Sequence, residues 1–437
     1  MKIDRWLTTY LLILVCLTSS CNTYKSTGLS EKYSARSNFT SAFTGVVIVH
    51  AKSGEMVFGV NENLHFTPAS NTKLLTTYAV LSHMQDSLIG WKYLDANDTL
   101  YIYPQGDPTF LHPDFKEQAF FDFLKGQNKP ISLVLDPTER VNRFATGWSW
   151  STWLNTYSPE RSKMPIYGNL VRVKLNGSEI AKVSPSYFSF KSSEGLSGNV
   201  FLNRPEQTND FFLQKAERNS LVRPFTLSNN DSLMYNLLKD TLENSGFLHA
   251  ISLTHKSSDQ QILKDFPTAP IDSVLQLMMH RSDNFIAEQL LLMVSKRKYG
   301  KFNETRIRKD ILEKDLSAVV QNGRWADGSG LSKSNLFTPY DFVRLIEELD
   351  LRYGEKRIQS ILPHGNTGTL TGLYKDYPNQ IWAKTGTLLD HLGLSGMLLS
   401  NKGEKYYFSI LINNHRGSAL SYRKDIEAFL IDFIENH

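Results

Sequence analysis

Three short polar clusters carry the chemistry legible in this 437-residue chain: Ser70-Asn71-Thr72-Lys73, Ser282-Asp283-Asn284 and Lys384-Thr385-Gly386. A serine hydroxyl is a poor nucleophile until a base takes its proton. Lys73 lies three residues beyond Ser70, which on a helix puts both side chains on one face. A lysine serves as that base only when its pKa falls towards neutrality, through burial or a neighbouring cation. Lys384 supplies such a cation, so the expectation is a neutral Lys73 beside a charged Lys384. Ser282 is suited to relay a proton, and Asn284 to hydrogen-bond Lys73 and a substrate amide. The Ser70 and Thr387 N–H groups fit an oxyanion hole. Lys384, Thr385, Gly386 and Thr387 form a strand that cradles a substrate carboxylate. The chemistry is acyl transfer through a serine ester. S-x-x-K recurs at Ser295/Lys298 and Ser421/Lys424, and S-x-N at Ser197/Asn199 and Ser228/Asn230, whereas K-T-G occurs once. Order and local setting therefore carry the weight.

The elements that position these groups follow from pattern. Phe43 to His50 reads as a strand, Ser53-Gly54 as a hairpin turn and Glu55 to Val60 as the returning strand. Thr67-Pro68-Ala69-Ser70 opens a helix with proline in its first turn, continuing from Leu74 to Met84. From Trp91 to Phe266 short β-like runs alternate with Gly, Pro, Asn and Ser turns. Trp148, Trp150, Trp153 and Phe188 to Phe190 read there as small-domain core. A helix near Ser232 to Ser245 leads back. Ile271 to Met279 and Asn284 to Lys296 are helices with Ser282-Asp283-Asn284 at their junction, where Ser and Asp also suit a helix cap. Leu336-Phe337-Thr338-Pro339 starts another helix. Strands follow at Gln380 to Leu388, Gly393 to Ser400 and Tyr406 to Asn413, and an amphipathic helix at Ser421 to Glu435. Strands from both chain ends, flanked by helices, predict one antiparallel five-stranded sheet in an α+β fold.

Composition narrows the function classes. Hydrophobic content of 41% indicates a globular chain, and the length calls for two or three domains. The net charge of +4 has no basic run behind it, which argues against nucleic acid. No Cys-His cluster has metal-ligand spacing, so neither metal nor other cofactor is expected. Lys2 and Arg5 precede an apolar run from Trp6 to Leu17 that is too short to span a bilayer. Leu17-Thr18-Ser19-Ser20-Cys21 resembles a bacterial lipobox, whose cysteine is acylated and becomes the new N-terminus. Residues 1–21 are thus read as a lipoprotein-type signal peptide and 22–38 as a flexible tether. Residues 39–90 with 267–437 form the main domain, and 91–266 an inserted, largely β module.

Together these motifs resemble the low-molecular-mass class C penicillin-binding proteins, the D-alanyl-D-alanine carboxypeptidase/endopeptidase family. The resemblance extends to Phe66 to Leu75, Gly106-Asp107-Pro108-Thr109, Ser282 to Leu290, Asp327 to Ser332, Lys384 to Leu388 and Leu394-Ser395-Gly396. It implies a transpeptidase-like domain of the serine β-lactamase type, with catalytic Ser70, Lys73, Ser282, Asn284 and Lys384. It also implies peptidoglycan stem peptides as substrates, β-lactams as covalent inhibitors, and a periplasmic, membrane-anchored lipoprotein of a Gram-negative bacterium. A serine β-lactamase shares the first half of this chemistry, but no extra carboxylate base is identifiable. A non-catalytic wall-binding protein would lack a catalytic group, and none is missing. Asp327 to Ser332 reads as an architectural turn. Tyr167-Gly168-Asn169, a Y-x-N, reads as a turn ahead of a strand. Ser295 and Ser421 read as exposed helical residues, and His65 as a rim or packing residue.

Overall fold

The computed structural model describes residues 27–176, 179–192, 202–214, 219–227, 230–256 and 262–437. The expected signal peptide with Cys21, and Ser197, Asn199 and Ser228, lie outside these residues. The described residues begin in helix where a tether was expected: α1 (Thr27–Ser34) and α2 (Ser37–Thr40) bury Leu29 and Phe39. Few apolar residues suffice there because the C-terminal helix supplies the rest of the contact. Phe39 meets Phe429 edge-on at 5.6 Å, and Arg36 pairs with Asp432 at 3.5 Å. Strands β1 (Phe43–His50) and β2 (Met56–Val60) form the expected hairpin, and a 3-10 turn, Ala69–Thr72, leads into α3 (Lys73–His83).

The inserted module runs from β3 (Ser87–Asp95) through β4 (Leu100–Pro104), α4 (Ala119–Lys125) and β5 (Ile131–Leu135). It continues with β6 (Leu170–Asn176), β7 (Glu179–Ser184), β8 (Phe190–Ser192), β9 (Leu202–Asn203), β10 (Phe211–Leu213) and β11 (Ser220–Pro224). It closes with α5 (Asp231–Asn244), β12 (Ile251–His255) and β13 (Lys264–Pro270). Five strands make a mixed sheet in the order β12-β5-β4-β3-β13, beside the three-stranded sheets β11-β6-β7 and β8-β10-β9. The module has its own core around Trp91, Leu133, Val171, Phe225 and Leu237, with Phe188 in it. The tryptophan cluster is not part of that core. Trp150 is 73% exposed and Trp153 lies under the Arg204 guanidinium, while Trp148 reaches across to the main domain. Aromatic density marks a segment that packs, but not the surface it packs against.

The chain then returns to the main domain as α6 (Ile271–Arg281), α7 (Asn284–Tyr299), α8 (Glu304–Asp310), α9 (Pro339–Tyr353) and α10 (Glu355–Ile361). The α9 start is a capping box, with Thr338 and Asp341 exchanging hydrogen bonds and Pro339 in the first turn. Finally come β14 (Ile381–Leu388), β15 (His391–Leu399), β16 (Lys405–Asn413) and α11 (Ala419–Asn436). The sheet order is β14-β15-β16-β1-β2, antiparallel throughout, with Val47 opposite Ser409 and Lys384 opposite Ser395. The interior strand β1 is apolar on both faces because both are covered. Val47 and Val49 meet α3, α6, α7 and α9, while Val46 and Ile48 meet α11. The expected five-stranded sheet built from both chain ends is thus present.

Candidate active site

Ser70 sits on the 3-10 turn, behind Ala69 in a left-handed conformation (φ +50°). Such a backbone is costly for a residue with a Cβ and persists only where neighbours enforce it. Two glycines do so. A Cβ on Gly386 would stand 2.6 Å from the Pro68 carbonyl, and one on Gly330 1.9 Å from that of Ala69. Gly386 therefore acts by its missing side chain, letting β14 press against the Ser70 turn.

Lys73 is fully buried, and its Nζ donates to Ser70 Oγ at 3.1 Å, Asn284 Oδ1 at 2.6 Å and the Ser329 carbonyl at 2.6 Å. Protonated, it fills all three acceptors; neutral, it keeps two and turns a lone pair to the Ser70 O–H. Ser282 ends α6 in a left-handed conformation (φ +56°), and Asp283 caps α7 by accepting from the Ile286 N–H at 2.9 Å. The S-D-N segment is thus a cap and a site element together. Ser282 Oγ accepts from Lys384 Nζ at 3.0 Å, and Asn284 Nδ2 donates to the Tyr157 carbonyl at 2.9 Å. The inserted module thereby touches the site.

The two lysines stand in unlike fields. Burial lowers the Lys73 pKa to about 8, opposed by Asp327, Asp283 and Glu288. Burial, then Lys73 and Arg423, push Lys384 well below the usual lysine range, with no carboxylate to oppose them. Both lysines are thus pushed towards the neutral form, and only Lys73 has carboxylates that favour its charge. Spacing reveals that two lysines meet, but not which one faces the carboxylates.

The strand pleat also divides the expected cradle. Successive side chains point to opposite faces, so Lys384 and Gly386 face the Ser70 turn while Thr385 and Thr387 face α11. There Arg423 donates to Thr387 Oγ1 at 2.7 Å. Arg423 had no sequence signal, since no motif links α11 to the K-T-G strand.

The turn from Asp327 to Ser332 is architectural as expected. The buried Asp327 carboxylate accepts from the N–H groups of Gly330 and Ser332 and from the Trp148 indole, each at 2.8 Å. It also delivers the Ser329 carbonyl to Lys73, which the sequence did not reveal. Tyr167 to Asn169 is a turn, with φ positive at all three residues and the Tyr167 hydroxyl against Thr241. His65 is exposed beside the Asn322 carbonyl. Ser421 is exposed, but Ser295 is buried and donates to the Leu292 carbonyl at 2.7 Å. The cause is that α7 is enclosed on every side from Phe285 to Ser295.

Comparison with known proteins fits this geometry. The sequence profile of the D-Ala-D-Ala carboxypeptidase 3 (S13) family matches residues 29–433. The chain belongs to that family. A D-alanyl-D-alanine carboxypeptidase DacB of Haemophilus influenzae is 25% identical over 90% of this chain and 89% of its own. A D-alanyl-D-alanine carboxypeptidase of an Actinomadura strain is 23% identical, over 86% of this chain and 79% of its own. Among solved structures, penicillin-binding protein 4 of H. influenzae superposes with TM-score 0.73 at 20% identity, covering 94% of this chain and 99% of that one. A predatory endopeptidase of Bdellovibrio bacteriovorus superposes with TM-score 0.54 at 15% identity, covering 89% and 92%. This S13 member is a serine-type D-Ala-D-Ala carboxypeptidase, a peptidase with the penicillin-binding protein fold.

Proposed function

We propose that Ser70 is the nucleophile of this carboxypeptidase and Lys73 its general base; the contact of 3.1 Å between Lys73 Nζ and Ser70 Oγ carries the assignment. Neutral Lys73 takes the Ser70 proton as Oγ attacks the penultimate D-alanine carbonyl. The N–H groups of Ser70 and Thr387 stabilise the oxyanion. The peptide bond breaks, and the terminal D-alanine leaves as an amine that receives its proton through Ser282, itself hydrogen-bonded to Lys384. Water then cleaves the Ser70 ester, releasing the shortened stem and returning the serine proton. Asn284 orients Lys73 and the substrate amide. The terminal carboxylate rests along the edge of the strand, between Lys384 and the Arg423–Thr387 pair.

Penicillin enters by the same attack and stays as a long-lived ester. Asp283, Asp327 and Glu288 are each engaged with backbone N–H groups, so none is spare to activate a deacylating water. A crosslink presents a D-centre carboxylate in the same place, which extends the activity to DD-endopeptidase cleavage of peptidoglycan. The leader from Lys2 to Cys21 supports a periplasmic lipoprotein held by a lipid on Cys21; Cys21→Ser should abolish detergent partitioning. Incubation with purified muropeptides tests the main reading: released D-alanine and split crosslinks are expected. Intact muropeptides after exhaustive digestion would refute it.

A further inference from the structure

Helix α7 grips Lys73 twice. Asn284 does so directly, and Glu288, one turn later on the same face, does so through the Asp327 turn. Glu288 Oε1 accepts from the Ser329 N–H at 2.8 Å, and the Ser329 carbonyl accepts from Lys73 Nζ at 2.6 Å. The other oxygen, Oε2, accepts from Arg161 Nη1 at 3.2 Å. Arg161 comes from the inserted module and is buried between that module and the helices α7 and α8. Its remaining contacts are Glu304, the Phe144 carbonyl at 3.0 Å and the Asn142 carbonyl at 3.1 Å. The acyl-transfer steps use neither Arg161 nor Glu288, yet both side chains are wholly enclosed.

We propose that Glu288 is a positioning residue for Lys73 and that Arg161 holds it in place, so that the inserted module governs how readily the base gives up its proton. This rests on Lys73 being the general base. Glu288 faces Arg161 from the insertion, Glu304 from α8 (itself 3.7 Å from Arg308) and Asp327 from the turn. Burial and Asp327 push its carboxyl up to about 7 against the pull of Arg161. Lys73 faces Asp283, Asp327 and Glu288, with Lys384 across the site. An ionised Glu288 retains the proton on Lys73; a neutral side chain of the same shape releases it while keeping the hydrogen bond to Ser329.

The test is the pH profile of the second-order acylation rate with penicillin, for the parent, Glu288→Gln, and the double variant Arg161→Met/Glu288→Gln. The double variant removes both partners of the buried contact, so that neither stands alone. In a folded variant, the rising limb should move to lower pH by about half a unit or more, the size expected for losing one nearby charge. Saturation by penicillin should change little. A folded variant with an unmoved limb overturns the proposal, and so does failure of both variants to fold, which would make Glu288 a structural residue alone. A parent that penicillin never acylates would remove the underlying reading instead, and that outcome is visible before any variant is compared.

Discussion

The Lys73 side and the Lys384 side of the cleft contain the same ion type at equal burial, yet they are built on opposite plans. Around Lys73 stand Asp283, Asp327 and Glu288, each fixed by backbone hydrogen bonds. Around Lys384 stand Lys73 and Arg423, with Ser282 and a carbonyl as its acceptors. One side is complete without substrate; the other lacks an anion. The contrast fits the proposed roles: proton transfer on the Lys73 side, and receipt of a carboxylate-bearing substrate on the Lys384 side. Binding a charged ligand there replaces a missing counter-ion, which favours the substrate's own chemistry over an apolar mimic.

The comparison breaks most readily at Lys73. Lys73→Ala should slow Ser70 acylation by about 10²–10⁴-fold, the usual share of a general base, measured with a labelled penicillin. Near-normal acylation would transfer the role elsewhere. The rate in the parent should rise with pH through about 8, where Lys73 loses its proton.

Stability gives a second handle. A lysine with a folded pKa of about 8 and an ordinary value of 10.5 destabilises the fold while charged, and that cost disappears as pH climbs between the two. Lys73→Met should therefore be more stable than the parent at pH 7, by roughly 3 kcal/mol. The gap should narrow towards pH 10.5 in denaturant titrations at matched salt. A gap constant with pH would mean that folding leaves the Lys73 pKa at its ordinary value.

Lys384→Ala should lower kcat/KM for a D-Ala-D-Ala peptide by about 10–100-fold, the worth of one charge-assisted hydrogen bond. The effect on a substrate amidated at its terminal carboxylate should be smaller. Equal losses on both substrates would confine Lys384 to the Ser282 relay. Arg423→Ala should cost several-fold, about 1 kcal/mol or less, because its contact to Thr387 is solvent-exposed. It should fall mainly on KM.

Much of this was legible in the sequence because local rules and tertiary packing agree there. Pro68 and Thr338-Pro339 mark helix starts, Ser282-Asp283 marks a cap, and the alternating strands at both chain ends complete one sheet. What escaped was set by distant partners. Leu29 and Phe39 look too sparse to fold until α11 covers them, and Ser295 looks exposed until α7 is enclosed. Trp148 looks like module core, yet its indole bonds Asp327. The field around Lys73 depends on Glu288 and Asp327, distant from it in sequence. The pleat separating Lys384 from Thr387 was available from strand periodicity alone; Arg423 was not.

Peptide mapping by mass after brief exposure to penicillin tests the central claim most directly. The account predicts a single adduct on Ser70, absent in Ser70→Ala and strongly reduced in Lys73→Ala. An adduct on Ser282, Ser421 or any other residue, or no adduct from a folded protein at pH 8, would contradict it.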